Sequence, residues 1–297
     1  MLAAAGACGP WLAARPSSAP RRIVFYTDLH TRTEFGTPEA LALAAEKIRA
    51  LKPDLILCGG DLVTDGFTTG AAAMVPRWDA YFEMHRSLGQ EVHACLGNHD
   101  LVGVAPEDGG APEADPRKEF RTRLGLDRTY YSFDALGLRF LVLDSLDVTM
   151  GNAEGKELYR GFIGAEQMEW LKKTLADTPR DRGLVLVSHI PLHIASTELM
   201  EKMYKSPVPS PGRIVVNAAE VMALFAGRPL RAVLQGHLHF NEHSVKDGVP
   251  HIIGGAVCAK YWRGAWHGTE EGFGLLTLDG DRHGWEYMDM GWTARRP

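Results

Sequence analysis

The feature of this 297-residue chain that most limits its fold is a repeated alternation of short apolar runs with amphipathic segments. Ile23–Tyr26 is an apolar run typical of a buried strand. A helix is predicted next, with Thr37 as its cap, Pro38 as its first helical residue and apolar residues at helical spacing after them. The same patterns predict further strands at Leu55–Cys58, Val92–Leu96, Arg139–Leu143, Leu184–Ser188 and Leu230–Leu234, and further helices at Trp78–Leu88 and after Asn217. Strands that alternate with helices indicate βαβ units and a mostly parallel inner sheet.

The end of the chain has a different pattern. Ile252-Ile253, Phe273–Leu278 and Trp285–Met288 are separated by turn signals, which favours antiparallel strands there. We therefore predict an α/β fold of two packed mixed sheets with outer helices, formed by a single domain over residues 22–292.

Composition excludes several classes of protein. The chain has 37 acidic and 32 basic residues, which argues against a groove for long nucleic acids because such a groove needs clustered Lys and Arg. No apolar run reaches the length that a transmembrane helix requires. Oligomeric state cannot be inferred from these features.

The first residues and the cysteines leave the compartment open. Residues 1–21 are rich in Ala and resemble either a clipped export signal or a disordered leader on a cytoplasmic protein. Cys58 and Cys95 lie in apolar runs typical of inert buried thiols, so they favour neither compartment.

Two stretches, residues 103–118 and 205–213, are dense in Pro and Gly. Each follows a polar motif, so each is predicted to be either a lid over a site or a plain surface loop.

Five of the apolar runs end in polar clusters. These clusters are Asp28-Leu29-His30, Gly60-Asp61, Gly97-Asn98-His99-Asp100, His189 and Gly236-His237-Leu238-His239. Ligands of α/β sheets bind at the carboxyl ends of strands, so the five clusters are predicted to meet at one site.

The residue types in these clusters are those of metal ligands. Alternate residues of an extended chain lie on one face, which brings the ligand pairs Asp28/His30 and His237/His239 together. Carboxylate, imidazole and amide oxygen ligands suit Mn, Fe and Zn, and seven candidate ligands exceed what one ion needs. We predict two ions that share one carboxylate, a centre whose net positive charge attracts a phosphate ester.

The motif set resembles the calcineurin-like metallophosphoesterase family over about residues 22–290. Tyr130–Asp134, Leu143-Asp144-Ser145 and Glu166-Gln167 with Trp170 are similar to the branch that contains the class III cyclic-nucleotide phosphodiesterases. This resemblance implies a four-layered α/β/β/α sandwich of two mixed sheets flanked by helices.

The resemblance also implies a role for each motif residue. Asp28, His30 and His239 would hold one ion, Asp61 would bridge, and Asn98, His189 and His237 would hold the other. A hydroxide shared by the ions would attack phosphorus in line, and His99 would protonate the leaving group. Asp100 would either orient the His99 imidazole or be an exposed turn carboxylate.

Departures from related patterns narrow the expected substrates. Thr64 stands where purple acid phosphatases need Tyr, and Gly60–Gly66 departs from the pattern of Ser/Thr protein phosphatases. Small phosphodiesters such as 3′,5′-cyclic nucleotides are therefore the leading expectation. The alternatives are a phosphomonoesterase or a phospholipid-type diesterase, with a non-catalytic scaffold last.

Three further residues are candidates for substrate contact. His193 lies four residues after His189, and Trp262-Arg263 could stack a base and bind a phosphate, or be a packed Trp beside a solvated Arg. Six other histidines belong to none of the motifs and are predicted to be surface or strand-packing residues: His85, His93, His243, His251, His267 and His283.

Overall fold

The apolar runs form two large mixed β-sheets in a computed structural model of the chain, which describes residues 19–148 and 159–295. The strands are β1 (Arg21–Tyr26), β2 (Leu55–Cys58), β3 (Val92–Ala94), β4 (Tyr131–Ala135), β5 (Leu138–Val142), β6 (Leu146–Val148), β7 (Tyr159–Gly161), β8 (Leu184–Ser188), β9 (Leu230–Gln235), β10 (Glu242–Lys246), β11 (Val249–Ile253), β12 (Gly272–Asp279) and β13 (Arg282–Asp289). The helices are α1 (Thr37–Ala50), α2 (Ala71–Ser87), α3 (Lys118–Leu124), α4 (Ala165–Ala176), α5 (Thr197–Tyr204) and α6 (Ala218–Ala223). The leader expected at residues 1–21 lies mostly outside the described residues.

Both sheets are mixed: the first has antiparallel strands at one edge and the second has one at each edge, while the other strands are parallel. The strand order is β13-β12-β1-β2-β3 in the first sheet and β10-β11-β9-β8-β5-β4 in the second. Strands β1, β2 and β3 are parallel, and so are β5, β8, β9 and β11. The sequence predicted only antiparallel pairing for Ile252-Ile253, but β11 is antiparallel to β10 and parallel to β9 because it inserts between them.

Side-chain alternation along the strands produces four layers. Ile23 and Phe25 of β1 belong to an apolar cluster between the sheets that also contains Val187 of β8. The alternate residues Val24 and Tyr26 belong to a second cluster that includes buried residues of α1 and α2. Since β5, β8 and β9 likewise direct alternate residues toward α4 and α6, the predicted α/β/β/α sandwich is confirmed.

Two helices begin elsewhere than the sequence predicted. Helix α1 begins at Thr37, but Gly36, in the left-handed conformation (φ 76°), is the cap residue rather than Thr37. Helix α2 begins at Ala71 instead of Trp78, because the helix-forming run before Pro76 tolerates that proline inside the helix.

Asn217 precedes α6 without capping it through its side chain. Its amide instead accepts a hydrogen bond from Ile163 N (3.0 Å) and donates one to Ile163 O (2.9 Å), which ties the start of α6 to the chain before α4. Within residues 19–148 and 159–295, no helix combines the length and apolar character needed to cross a bilayer.

His251 in β11 makes stability depend on pH. Burial, followed by the neighbouring His193 and Lys246, lowers the pKa of His251 to about 4, with Asp247 opposing that shift. Between pH 6.5 and 4 the unfolded chain therefore binds more protons, so the free energy of unfolding should fall by as much as about 3 kcal/mol as the pH drops across this range. Replacing His251 with Phe should reduce this fall in the free energy of unfolding, which denaturant titrations at each pH measure. Parallel pH curves for the two proteins would contradict the assignment.

Candidate metal centre

Loops from both sheets meet at one end of the molecule. The loops after β1, β2 and β3 carry Asp28, Asp61 and Asn98, and those after β8 and β9 carry His189 and His237. Two hydrogen bonds join the sheets here: His189 Nδ1 bonds Gly59 O (2.8 Å), and His237 N donates to Asp28 Oδ2 (2.9 Å). The structure therefore brings together the five clusters that the sequence predicted to meet.

Asp61 lies between two groups of nitrogen and oxygen ligands. Its Oδ2 is 3.4 Å from His30 Nε2 and 3.4 Å from His189 Nε2. Its Oδ1 accepts a hydrogen bond from His99 N (2.8 Å), which fixes the carboxylate plane. A carboxylate oxygen equidistant from two imidazoles is placed to bridge two cations.

The first group consists of Asp28, His30 and His239. Their ligand atoms converge: His30 Nε2 and His239 Nε2 are 3.0 Å apart, and Asp28 Oδ1 is 3.5 Å from His239 Nε2. Asp28 Oδ1 is buried without a hydrogen-bond partner among the described residues. A buried carboxylate oxygen without a partner is costly, so this arrangement fits a cation.

The second group consists of Asn98, His189 and His237, with Asp61 shared. Asn98 Oδ1 is 3.1 Å from His189 Nε2, and the rings of His189 and His237 are 5.1 Å apart. Asp61, His189 and His237 each offer a ligand atom within 4.8 Å of the others.

Hydrogen bonds behind the site orient the ligands. His239 Nδ1 bonds Ala259 O (2.6 Å), and the corresponding bond of His189 reaches Gly59 O. Asp28 Oδ2 accepts from Thr27 Oγ1 (2.6 Å) in addition to His237 N. In both imidazoles the Nδ1 bond leaves Nε2 facing the site, which is how metal-binding histidines are usually oriented.

The electrostatics of the site favour positive charge. Burial, with His99 next, lowers the pKa of His30, and burial likewise lowers that of His237, so both rings are held neutral as ligands require. Burial also acts to lower the pKa of His189, but Asp61 and Asp28 outweigh it and raise that pKa to about 9. The carboxylates thus stabilise a positive charge at this point, and the donor set fits a pair of metal ions.

The backbone of the site is strained. Asp28, His30, Asp61, His237 and His239 all have positive φ, between 43° and 73°, a region that L-residues rarely adopt. Gly97 shows how closely the loops approach, since a Cβ there would lie 2.1 Å from Asp61 N. Strain and close approach of this kind cluster at functional sites.

His99 lies beside the first ligand group without being one of the seven expected ligands. Its ring meets that of His30 edge-on at 4.5 Å. His99 Nδ1 accepts a hydrogen bond from Asp65 N (3.3 Å), so the ring proton is on Nε2. His30, Asp61 and His99 also each offer a ligand atom within 4.8 Å of the others.

The contacts of Asp100 correct its expected role. Its carboxylate is buried and accepts hydrogen bonds from Leu62 N (2.8 Å), Val63 N (3.2 Å) and Gly97 N (2.9 Å). It therefore holds the loop after β2 against the loop after β3. Since the ring of His99 bonds Asp65 N instead, Asp100 is neither an imidazole-orienting group nor an exposed turn carboxylate.

A cavity opens at this centre, and none of the three residues predicted to contact the substrate lines it. Trp262 is completely buried and its Nε1 donates to Leu29 O (3.0 Å), so the prediction that its ring stacks a base is wrong. Arg263 is exposed and is not a lining residue of the cavity. His193 packs against His251, with ring centroids 5.1 Å apart, and lines a separate cavity.

The cavity at this centre is lined in part by residues that the sequence did not predict. It has a volume of about 270 Å³ and is lined by Asp61, Asn98, His99, Tyr159, Tyr204, Ser210, Gly212, Arg213, His237, His239 and Tyr261. Ser210, Gly212 and Arg213 belong to the segment 205–213, whereas no residue of 103–118 lines it. The aromatic residue of the Tyr261–Arg263 loop that faces the site is thus Tyr261, not Trp262.

Cys258 was also missed. Its Sγ is 3.8 Å from His239 Nδ1, on the side of the ring that faces away from the convergent Nε2 atoms. Burial raises the pKa of this thiol well above its usual value, and one ligand atom each of His30, His239 and Cys258 lie within 4.8 Å of one another.

Comparison with known proteins identifies a family and several relatives. A model described as calcineurin-like phosphoesterase matches residues 21–241. The chain is 28% identical over 217 residues to a cAMP/cGMP dual specificity phosphodiesterase of Mycobacterium tuberculosis, covering 70% of this chain and 55% of that protein. It is 26% identical over 253 residues to a probable cyclic nucleotide phosphodiesterase of Rhodococcus erythropolis, covering 80% of this chain and 68% of that protein. The chain therefore spans just over half the length of the mycobacterial relative.

Solved structures share the fold. A dimetal phosphatase from Danio rerio has a TM-score of 0.66 at 17% identity, covering 92% of this chain and 97% of that one. The purple acid phosphatase PPD1 from yellow lupin has a TM-score of 0.57 at 16% identity, covering 93% of this chain and 52% of that one.

Removal of the Asp61 carboxylate should release both ions. Metal analysis of an Asp61→Ala variant after reconstitution with Mn should find close to none of the two ions per chain expected for the parent, because both groups lose their shared ligand. Asp65→Ala is a matched control, since its carboxylate contacts Arg32 and Arg77 rather than the candidate ligands. Full metal content in the Asp61 variant would refute the bridging position.

Proposed function

The chain belongs to the calcineurin-like phosphoesterase family, and from that membership we propose that it hydrolyses small phosphodiesters, with 3′,5′-cyclic nucleotides as the first candidates. The observation that supports this most strongly is the position of Asp61 Oδ2, 3.4 Å from an imidazole of each ligand group. The names of the mycobacterial and rhodococcal relatives support the cyclic-nucleotide substrate.

We assign Asp28, His30 and His239 to one ion and Asn98, His189 and His237 to the other, with Asp61 shared. Mn or Fe are the expected metals, and Zn also suits this ligand set. Such a pair, when bound, supplies Lewis acidity toward the phosphoryl oxygens and toward water.

His99 is proposed as the general acid. Its Nδ1 accepts the Asp65 N–H, which leaves the protonated Nε2 available to the cavity that His99 lines. A protonated imidazole nitrogen at this place can donate to the leaving alkoxide oxygen as the phosphorus–oxygen bond breaks. The hydrogen bond from His99 N to Asp61 Oδ1 holds the His99 backbone beside Asp61, the proposed bridging ligand.

The cavity favours a small substrate. Its volume is about 270 Å³, and the described residues that line it include three tyrosines and no aliphatic side chain. These features suit a compact aromatic diester better than the acyl chains of a phospholipid, which need a long apolar groove.

Replacing His99 with Ala should separate chemistry from metal binding. We expect the variant to retain its ions while turnover of a cyclic nucleotide falls by about 10²- to 10⁴-fold, because the leaving alkoxide is no longer protonated. A diester with a p-nitrophenolate leaving group should lose much less. His193→Ala, a histidine outside the cavity, serves as the control. Loss of metal together with activity would make His99 a ligand instead.

A substrate panel tests the proposed function itself. Protein reconstituted with Mn should hydrolyse 3′,5′-cyclic AMP and cyclic GMP with higher kcat/KM than 5′-AMP, and a chelator should abolish both activities. If 5′-AMP were hydrolysed faster than every diester, the phosphomonoesterase alternative would replace the present proposal.

A further inference from the structure

One wall of the cavity has no part in the proposed reaction. It is formed by Tyr204, at the end of α5, and by Ser210, Gly212 and Arg213 from the segment after it. Among the lining residues that the structure describes, Arg213 is the one Lys or Arg side chain. The scissile phosphate is assigned to the metal centre and His99, so the Arg213 guanidinium is available to contact another part of the substrate.

Arg213 is held in one plane by two contacts. Its guanidinium carbon lies 3.9 Å from the centroid of the Tyr204 ring, and Nη1 donates to Ser210 Oγ (2.8 Å). A guanidinium has five N–H donors, so the bond to Ser210 leaves donors for a ligand in that plane. Because stacking and hydrogen bonding restrict the side chain before a ligand arrives, binding would cost little side-chain entropy.

The surroundings of Arg213 suit a flat ring. Tyr159 and Tyr261 line the same cavity as Tyr204, and the Tyr261 ring lies 4.8 Å from that of His239. Aromatic side chains beside a guanidinium are a common platform for nucleobases. A cyclic nucleotide bound at the metal centre carries one such base.

From these contacts we propose that Arg213 and Tyr204 form a purine-base subsite that favours guanine over adenine; this rests on the proposed function. Guanine presents two acceptors, O6 and N7, on the edge that matches the guanidinium fork. Adenine presents the N7 acceptor and the N6 amino donor on that edge, and the N6 donor repels an arginine N–H donor. The enzyme should therefore prefer cyclic GMP to cyclic AMP by about tenfold in kcat/KM, mainly through KM.

Arg213→Lys tests this subsite because it keeps the charge and removes the fork. We expect the variant to lose the preference for cyclic GMP through a raised KM, with kcat for both nucleotides nearly unchanged. Its kcat/KM for bis(p-nitrophenyl) phosphate, a diester without a base, should fall by a smaller factor than its kcat/KM for cyclic GMP. Calorimetry should show the same loss of preference for 5′-GMP over 5′-AMP, which is a readout independent of turnover.

Two further variants control the experiment. Arg263→Lys makes the same change at an exposed arginine outside the cavity and should behave like the parent. Ser210→Ala leaves Arg213 in place but frees its Nη1, and should weaken the guanine preference severalfold.

The outcomes are distinct. Equal losses with both nucleotides and with the base-free diester would show that Arg213 binds phosphate, which overturns the subsite. An unchanged preference in Arg213→Lys, or a parent enzyme that prefers adenine, would also overturn it. If the parent hydrolysed no cyclic nucleotide, the proposed function would fail, whereas the binding preference for 5′-GMP would still decide the subsite.

Discussion

The position of one carboxylate governs the whole site. Asp61 can lie between His30 and His189 because Gly97 has no Cβ that would collide with Asp61 N. The buried Asp100 carboxylate then holds the loop after β2 to the loop after β3 through three backbone N–H groups. Polar groups buried in this way are stable only when each is satisfied, so the geometry of the bridge and the packing of the loops depend on each other.

The two sheets contribute unequal but interlocking parts. The first sheet supplies both carboxylates, and the second supplies His189, His237 and His239. Cross-sheet hydrogen bonds from His189 to Gly59 and from His237 to Asp28 fix the positions of these two groups of residues relative to each other. The unpartnered Asp28 oxygen and the left-handed backbone at five of the seven candidate ligands are costs that bound cations would offset.

Recognition of the substrate is assigned to a different part of the chain. The candidate ligands follow strand ends, whereas Tyr204, Arg213 and Tyr261 come from a helix end and from loops. Loops positioned by a rigid sheet edge can change without disturbing the ligands beneath them.

The sequence by itself determined the layered α/β architecture and the seven candidate ligands, because strand periodicity and short ligand spacings are local properties. It could not assign Asp100, whose partners lie as far as 38 residues away, nor distinguish Trp262 from Tyr261, since adjacent residues of an irregular loop can face opposite directions. The contact of Arg213 with Tyr204 was equally hidden, because it depends on the conformation of the Pro-rich segment between these two residues. Only tertiary packing decides which side chains of distant loops meet.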